Sequence, residues 1–476
     1  MDAAPGHLDD LERLFEAQRD ASRCGEPASW AVRADRLRRL RGVIGANRAA
    51  YAQAISMDFG QRSRHETELL EVAHVLDGID HALAHGQRWM RAAPRAVGWK
   101  FWPGRAALLP QPLGVAGIVT PWNYPLDLSL GPATSALVAG NRTMIKLSEL
   151  TPRFGALLAE SCAREFDANE LCIVNGDVEV ARRFCRLAFD HLLFTGSTAV
   201  GREVMRAASA TLTPVTLELG GKSPAIIGPG ITSDADFERA VARLIIGKTF
   251  NAGQTCIAPD HVYLPRAKQD RFIASARRAV RRFYPALPDT PDYTSIITDQ
   301  HYARLGALVD EAVSQGATAH ALADAAHDAA RRLFMPVALT GMNEASRVLR
   351  EEIFGPVLPV LPFDDLDEVI TRINNAPRPL ALYLFERDRR RIERVLARTV
   401  AGGVTLNDTF MHVGPPQLPF GGVGASGMGA YHGKAGFDAF SHMKPVFSQR
   451  RFHPVSWLYP PYGVRAERIL RMIARR

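Results

Sequence analysis

The chain of 476 residues is 47% hydrophobic, carries 58 basic against 50 acidic residues for a formal charge of +8, and contains five cysteines. That length buries a substantial core and favours two or three domains. The charge excess is too modest to point to nucleic acid, and an odd number of scattered cysteines speaks against both a disulfide framework and a metal site.

The opening MDAAPGHLDDLERL is acidic and lacks the basic start and apolar block of a secretory leader. No run reaches the roughly 18 uninterrupted apolar residues of a membrane span, so a cytoplasmic protein is expected. The first ninety residues show apolar positions at three and four spacing and few strand formers, a helical preface. Cys24, Cys162, Cys172 and Cys185 fall in helical or strand-like patterns and read as small buried hydrophobes.

From residue 113 short apolar runs alternate with helical stretches: LGVAGIVT (113–120), TMIKLS (143–148), CIVNG (172–176) and HLLFTGS (191–197). This predicts βαβ units, a parallel sheet and a nucleotide site at the strand C-termini. The first run leads into TPWNYPLDL, where Asn123 stands between two aromatics and two prolines. An amide so held can donate to an oxyanion or simply cap a turn. Lys146 and Glu149 leave the second run at its C-terminal end and suit ribose hydroxyls or solvent equally. In FTGSTAVG (194–201) Gly196 and Ser197 open a helix near Thr198, where a pyrophosphate could meet backbone N–H groups; an ordinary strand-to-helix turn reads the same way. In TPVTLELGG (213–221) strict alternation sets Glu218 and Thr216 opposite Val215, Leu217 and Leu219, so the carboxylate needs a partner or a task.

The Gly220-Gly221 pair marks a sharp turn and the first division, giving segments 1–220, 221–410 and 411–476: a cofactor domain behind the helical preface, a catalytic domain, and a return segment with an oligomerisation arm and basic tail. GGKSP (220–224) is not a phosphate loop, because Thr216 stands where its first glycine belongs. A second α/β cycle follows through PAIIG, HVYLP, MPVALTG, PLALYLF and GGVTLN, with an alanine-rich segment of unsettled boundaries at 319–333. Within it lies FNAGQTCIAPD (250–260), a cysteine in a loop of small residues. Gly422, Gly424 and Gly427 spell G-x-G-x-x-G but follow PPQLP rather than a strand, so they are not a dinucleotide fingerprint. The last eighteen residues carry five arginines and one glutamate, with Ile469, Met472 and Ile473 at helical spacing. A solvated helix packing on its own subunit is favoured over peripheral contact with an acidic membrane face.

Together these segments resemble the aldehyde dehydrogenase superfamily, in particular its class 3 branch with the coniferyl and fatty aldehyde dehydrogenases, over about residues 110–445. The resemblance rests on PWNYP, KLSELTP, FTGSTAVG, TLELGGKSP, FNAGQTCIAPD, EEIFGPVLPV, PLALYLF, GGVTLND and LPFGGVGASGMGAYHG in this order. It implies an α/β fold with a Rossmann-type cofactor domain, an α/β catalytic domain and a small oligomerisation extension. It further implies NAD(P)-dependent oxidation of an aldehyde, aromatic or medium to long chain, through a cysteine thiohemiacetal and thioester, in a homodimer. By the same resemblance Cys256 is the nucleophile, Glu218 the general base, and Asn123 with the Cys256 backbone N–H the oxyanion hole. Lys146, Glu149, Gly196, Ser197, Trp122, Glu352 and Phe354 would hold NAD, with NADP as the alternative; Tyr124, Ile246 and Phe250 would line the substrate pocket. The sequence departs from the class in IIGPGITSDAD, a longer loop expected to bulge at the surface, and in Ile246, where relatives can carry tryptophan. Two other readings remain at this point: a CoA-acylating dehydrogenase, disfavoured by Glu218, and a non-enzymatic membrane-associated scaffold, disfavoured by Cys256, Glu218 and Asn123 together.

Overall fold

The structure, a computed structural model, describes residues 5–474. The preface is helical as expected: Pro5–Arg23, Trp30–Phe59, Arg64–Thr67 and Ala73–Trp89. Ser29 and Ser63 cap the second and third of these by accepting from the Val32 and Glu66 N–H groups. Between the last two helices the backbone widens into a π turn, Glu68–Val72. Such turns reorient side chains and are frequent beside functional sites.

Three sheets follow. Strands β1 (Ala93–Arg95), β2 (Arg105–Pro112), β3 (Val115–Val119), β4 (Arg142–Lys146), β5 (Leu171–Val174), β6 (His191–Gly196), β7 (Val215–Leu219) and β8 (Pro224–Ile227) come first in the chain. They are succeeded by β9 (His261–Pro265), β10 (Thr318–Ala321), β11 (Val337–Thr340), β12 (Val357–Phe363), β13 (Ala381–Phe385), β14 (Gly403–Leu406), β15 (Gly427–Met428) and β16 (Ser441–Ser448). The first α/β layer has the order β15-β7-β6-β3-β4-β5 and is parallel except for β15. Its chain runs outward from β3 through β4 and β5, then returns to β6 and β7 on the other side, so a crevice opens at the C-terminal ends between β3 and β6. The second layer, β10-β11-β12-β9-β8-β13-β14, is parallel except for β10.

Both faces of the first layer are covered, as a parallel sheet requires. Val115, Met144, Leu192, Phe194 and Leu217 pack on one side with Phe15 and Phe184. Ala116, Ile118, Ile145 and Leu193 turn the other way, into a larger core shared with the N-terminal helices. The chain crosses from β7 to β8 through Gly220-Gly221, though neither glycine adopts positive φ. Gly220 is there for close approach: a Cβ would lie 2.2 Å from a Glu352 carboxylate oxygen.

The third sheet, β1-β2-β16, is antiparallel and was not visible in the residue pattern. Its strands contain Pro94, Pro110, Pro112 and Pro445, which argue against strand when read locally. Val446 and Phe447 remain exposed on it. The alanine-rich stretch gives only β10 at its start and an isolated bridge between Asp328 and Leu333.

Two expectations are corrected here. Cys24 is exposed rather than buried, because the first helix ends at Arg23; Cys162, Cys172 and Cys185 are buried as expected. The loop after β8 is no simple surface bulge: Ile231 is buried and the Gly230 N–H donates to the buried Glu386 carboxylate at 3.1 Å. At the other end, the helix Val464–Ala474 buries only Ala466 and leaves Leu470 and Met472 exposed, resting on the turn Pro454–Leu458. Among the described residues no helix is long and apolar enough to cross a membrane.

Candidate active site

The cysteine loop takes an unusual backbone path. After the helix Asp234–Thr249 the turn Phe250–Gly253 places Asn251, Ala252 and Gly253 in succession at φ of 51°, 52° and 75°. Left-handed conformations at non-glycine residues are costly and persist only where surroundings enforce them. At Gly253 no other residue fits, since a Cβ would stand 2.4 Å from the Gly355 carbonyl oxygen. The rest is enforced by side-chain amides. Asn251 Nδ2 donates to the Asn123 and Gln254 carbonyls at 2.9 and 3.2 Å, and its backbone N–H donates to Glu66 at 2.8 Å. Gln254 Nε2 donates to the Asn251 and Ser295 carbonyls, both at 3.0 Å, while its Oε1 accepts from the Ile297 N–H.

This network reaches back to the N-terminal helices. Arg62 Nη1 donates to the Asn123 carbonyl at 2.8 Å, and the guanidinium lies over the rings of Phe59 and Tyr124. It also faces Glu71 at 2.9 Å, with both side chains fully buried. Glu71, carried on the π turn, accepts from the Leu126 and Asp127 N–H groups just after the Asn123 loop. Burial pushes the carboxyls of Glu66 and Glu71 up to about 7, against the pull of Arg62. Arg62, Glu66, Glu71, Asn251 and Gln254 were not singled out from sequence. The last two lie in the motif itself, but nothing local marks the first three.

Asn123 is buried and uses one amide hydrogen on the Gln254 carbonyl at 3.1 Å, which leaves its second for another acceptor. The Cys256 thiol is pushed up to about 12, chiefly by burial and then by the charges of Glu352 and Glu218. Glu218 is buried at the end of β7 with neither carboxylate oxygen hydrogen-bonded, and burial holds its carboxyl well above the ordinary range. Glu352, also raised by burial to about 7, accepts from the Gly221 N–H. Its loop is fixed by Lys222, which pairs with Asp260 and donates to the Val348 and Glu351 carbonyls at 2.9 and 2.8 Å. Lys222 therefore braces a loop, in keeping with the rejection of a phosphate loop there.

At the crevice of the first sheet, Lys146 ends β4 buried and donates to the Leu147 and Gly176 carbonyls at 2.6 and 2.8 Å. Burial lowers its pKa, with Glu149 and Asp177 acting the other way. Glu149 is exposed beyond it. Gly196 closes β6, and the exposed Ser197 caps the twelve-residue helix Thr198–Ser209 by accepting from the Val200 N–H. An open helix start, a nearby lysine and an exposed carboxylate around one crevice suit a dinucleotide's pyrophosphate and ribose. Trp122 packs edge-on against Phe354 at 5.5 Å and His301 at 5.4 Å. The G-x-G-x-x-G glycines instead surround β15, where Gly427 pairs with Glu218 across the sheet edge.

Cys256 lines a cavity of about 270 Å³ whose walls include Tyr124, Leu128, Phe250, Ile257, Phe410, Met411, Phe420 and Tyr431. Tyr124 is held by its hydroxyl, 2.9 Å from Thr255 Oγ1. Phe250 stacks edge-on with Phe410 at 5.7 Å. Ile246 is not part of this wall, contrary to expectation. It lies one helical turn before Phe250, on a face that shares a surface groove with Arg282 and Phe283 of the neighbouring helix Gln269–Phe283, and the helix stops at Phe250, whose own backbone leaves the helical conformation (φ −53°, ψ 129°).

The chain is similar to known proteins along most of its length. Residues 2–446 match the family model described as the aldehyde dehydrogenase family. The chain is 45% identical to a probable coniferyl aldehyde dehydrogenase of Pseudomonas aeruginosa, covering 97% of this chain and 96% of that one. It is 44% identical to a coniferyl aldehyde dehydrogenase of a Pseudomonas species, over 94% and 93%. Among solved structures, the substrate-bound AldH of Staphylococcus aureus superposes with a TM-score of 0.91 at 34% identity, covering 97% of this chain and 99% of that chain. The chain therefore belongs to the aldehyde dehydrogenase family and is an NAD(P)-dependent enzyme that oxidises an aldehyde.

Proposed function

We propose that the chain converts an aromatic aldehyde of coniferyl type to its carboxylic acid, using NAD in preference to NADP. The observation that carries the mechanism is Glu218: a buried carboxyl with no hydrogen-bond partner, within electrostatic reach of the Cys256 thiol in the wall of an apolar cavity. A thiol held near 12 ionises poorly, and its proton passes to solvent water as the sulfur becomes the nucleophile, which leaves the Glu218 carboxylate for the later hydrolysis. The sulfur then adds to the aldehyde carbon. The oxyanion so formed is received by the free amide hydrogen of Asn123 and the Cys256 N–H. NAD(P), when bound, supplies the acceptor for the hydride that leaves this carbon. The Glu218 carboxylate then takes one proton from water, whose hydroxyl oxygen bonds to the acyl carbon; the C–S bond breaks, and the departing sulfur takes that proton back from Glu218, leaving the acid and the free thiol.

Lys146 and Glu149 would hold the adenosine ribose, Gly196 and Ser197 the pyrophosphate at the helix start, and Trp122, Glu352 and Phe354 the nicotinamide half. Tyr124 and Phe250 would bound the aldehyde. The first α/β layer then serves as the cofactor domain and the second as the catalytic domain, with the return segment from residue 411 supplying β15 and β16. The substrate class follows the named activity of the Pseudomonas relatives and the aromatic lining of the cavity. The nucleotide preference follows from Glu149, whose charge repels a 2′-phosphate. Assembly is proposed as a homodimer in the cytoplasm, with the basic C-terminal helix solvated rather than seated on a membrane.

A panel of aliphatic and cinnamyl aldehydes assayed with each nucleotide tests this reading. Cinnamyl aldehydes with NAD are expected to give the highest kcat/KM, and Glu149→Gln to raise the NADP to NAD efficiency ratio. Preference for aliphatic aldehydes would overturn the substrate class, and an unmoved nucleotide ratio would remove Glu149 from the ribose site.

A further inference from the structure

The cavity beside Cys256 is apolar along most of its wall, and the exceptions include a histidine and an aspartate. His74 and Asp127 line it together with Leu69, Leu128, Phe410 and Tyr431. The same pair walls a second cavity behind, of about 30 Å³. Their side chains are 18% and 13% exposed, enough to be touched from the cavity yet largely withdrawn from bulk water. Sequence places His74 just after the π turn and Asp127 in the first turn of the helix Asp127–Ala139. Neither is used by the chemistry at the thiol. Tyr431 lies near enough to feel the charges of Asp127, Glu218 and Cys256 alike, so the polar pair and the sulfur flank one aromatic wall.

The spacing within the pair is informative. His74 Nε2 and Asp127 Oδ1 are 4.0 Å apart, too far for a direct hydrogen bond. Among the described residues neither side chain has another hydrogen-bond partner. At that separation one oxygen atom can stand within about 2.8 Å of both groups at once. Such an atom must accept from the imidazole N–H and donate to the carboxylate. A hydroxyl does both, whereas an ether or carbonyl oxygen only accepts.

We infer that His74 and Asp127 form a receptor for a hydroxyl group at the far end of the aldehyde, and so select hydroxylated aromatic aldehydes over their unsubstituted or O-methylated analogues. This rests on the proposed reading of the cavity as the aldehyde site. A buried polar pair left without its partner penalises any substrate lacking the hydroxyl, which makes such a contact a stronger filter than added apolar surface.

The test is kcat/KM for 4-hydroxycinnamaldehyde against cinnamaldehyde and 4-methoxycinnamaldehyde, which bracket it in size. Intrinsic reactivity opposes the expected result, since a para oxygen donates electrons to the conjugated carbonyl. The wild-type enzyme is expected to favour the hydroxylated compound over both others by about tenfold or more, expressed mainly in KM. Asp127→Leu and His74→Leu are each expected to bring that ratio to within about twofold of unity. If one variant fails to fold, the wild-type ratio and the other variant decide. A wild-type ratio near one, or a ratio unchanged in a folded variant, overturns the inference while leaving aldehyde oxidation intact. Failure of all three aldehydes to yield NADH overturns the reading of the site as well.

Discussion

At the scale of single residues, the site holds three acidic protons more tightly than exposed groups would. Burial lifts Cys256 to about 12 and Glu352 to about 7, and raises Glu218 well above its ordinary value. Each charge raises the cost of the next, so the thiol's ionisation depends on its neighbours. Glu352→Gln keeps an acceptor for the Gly221 N–H but removes one of the charges that oppose the thiolate. Alkylation of Cys256 by iodoacetamide is therefore expected to shift to lower pH in the variant, accelerating at fixed pH by on the order of tenfold per pKa unit. An unchanged pH profile would show that Glu352 does not act on the sulfur.

At the scale of elements, the cysteine loop is held by the helical preface as much as by its own sheet. Glu66 accepts the Asn251 N–H, and Arg62 with Glu71 braces the Asn123 segment. The Glu66 carboxyl lies at about 7 when folded, against an ordinary 4.5. Below the lower value both states are protonated. Between the two the folded chain keeps a proton that the unfolded chain has lost, so rising pH favours unfolding across this window. Glu66→Gln preserves an acceptor and removes that penalty. Urea unfolding at about pH 5 and about pH 8 is expected to show the variant gaining stability relative to wild type at the higher pH. A difference that stays constant between the two would contradict the assignment.

The candidate site residues stood out in the sequence where their pattern is local, Glu218 by alternation along β7, Cys256 by its small-residue loop and Ser197 by the turn that opens a helix near Thr198, while their roles came from the family resemblance. Their braces did not stand out, because Arg62, Glu66 and Glu71 lie far upstream, and a π turn breaks the helical period around them. Ile246 was misplaced for a related reason, since helical spacing does not foresee that the helix ends at Thr249, one residue before Phe250.

At the scale of the whole molecule, the C-terminal edge of the first parallel layer, where Lys146, Gly196 and Glu218 stand at or near the ends of β4, β6 and β7, faces loops that lead into the second: Cys256, before β9, and Glu352, before β12, lie within electrostatic reach of each other, and Cys256 within reach of Glu218. The antiparallel sheet β1-β2-β16 stands apart with Val446 and Phe447 exposed on β16. An exposed apolar edge of this kind invites pairing with a second copy. Light scattering is expected to give twice the chain mass, and Phe447→Asp to shift it toward one; an unaltered dimer would locate the interface elsewhere.

Glu218 drives hydrolysis of an acyl group carried on Cys256 in the proposed mechanism. Mixing Glu218→Gln with aldehyde and NAD, then weighing the intact protein, tests it most directly. The variant is expected to give about one equivalent of NADH per site, an acyl adduct that vanishes when Cys256→Ala is added to it, and steady turnover lower by about two to four orders of magnitude. Coenzyme A is not expected to restore turnover. Normal turnover without an adduct would remove Glu218 from the mechanism, and rescue by coenzyme A would make the enzyme an acylating dehydrogenase.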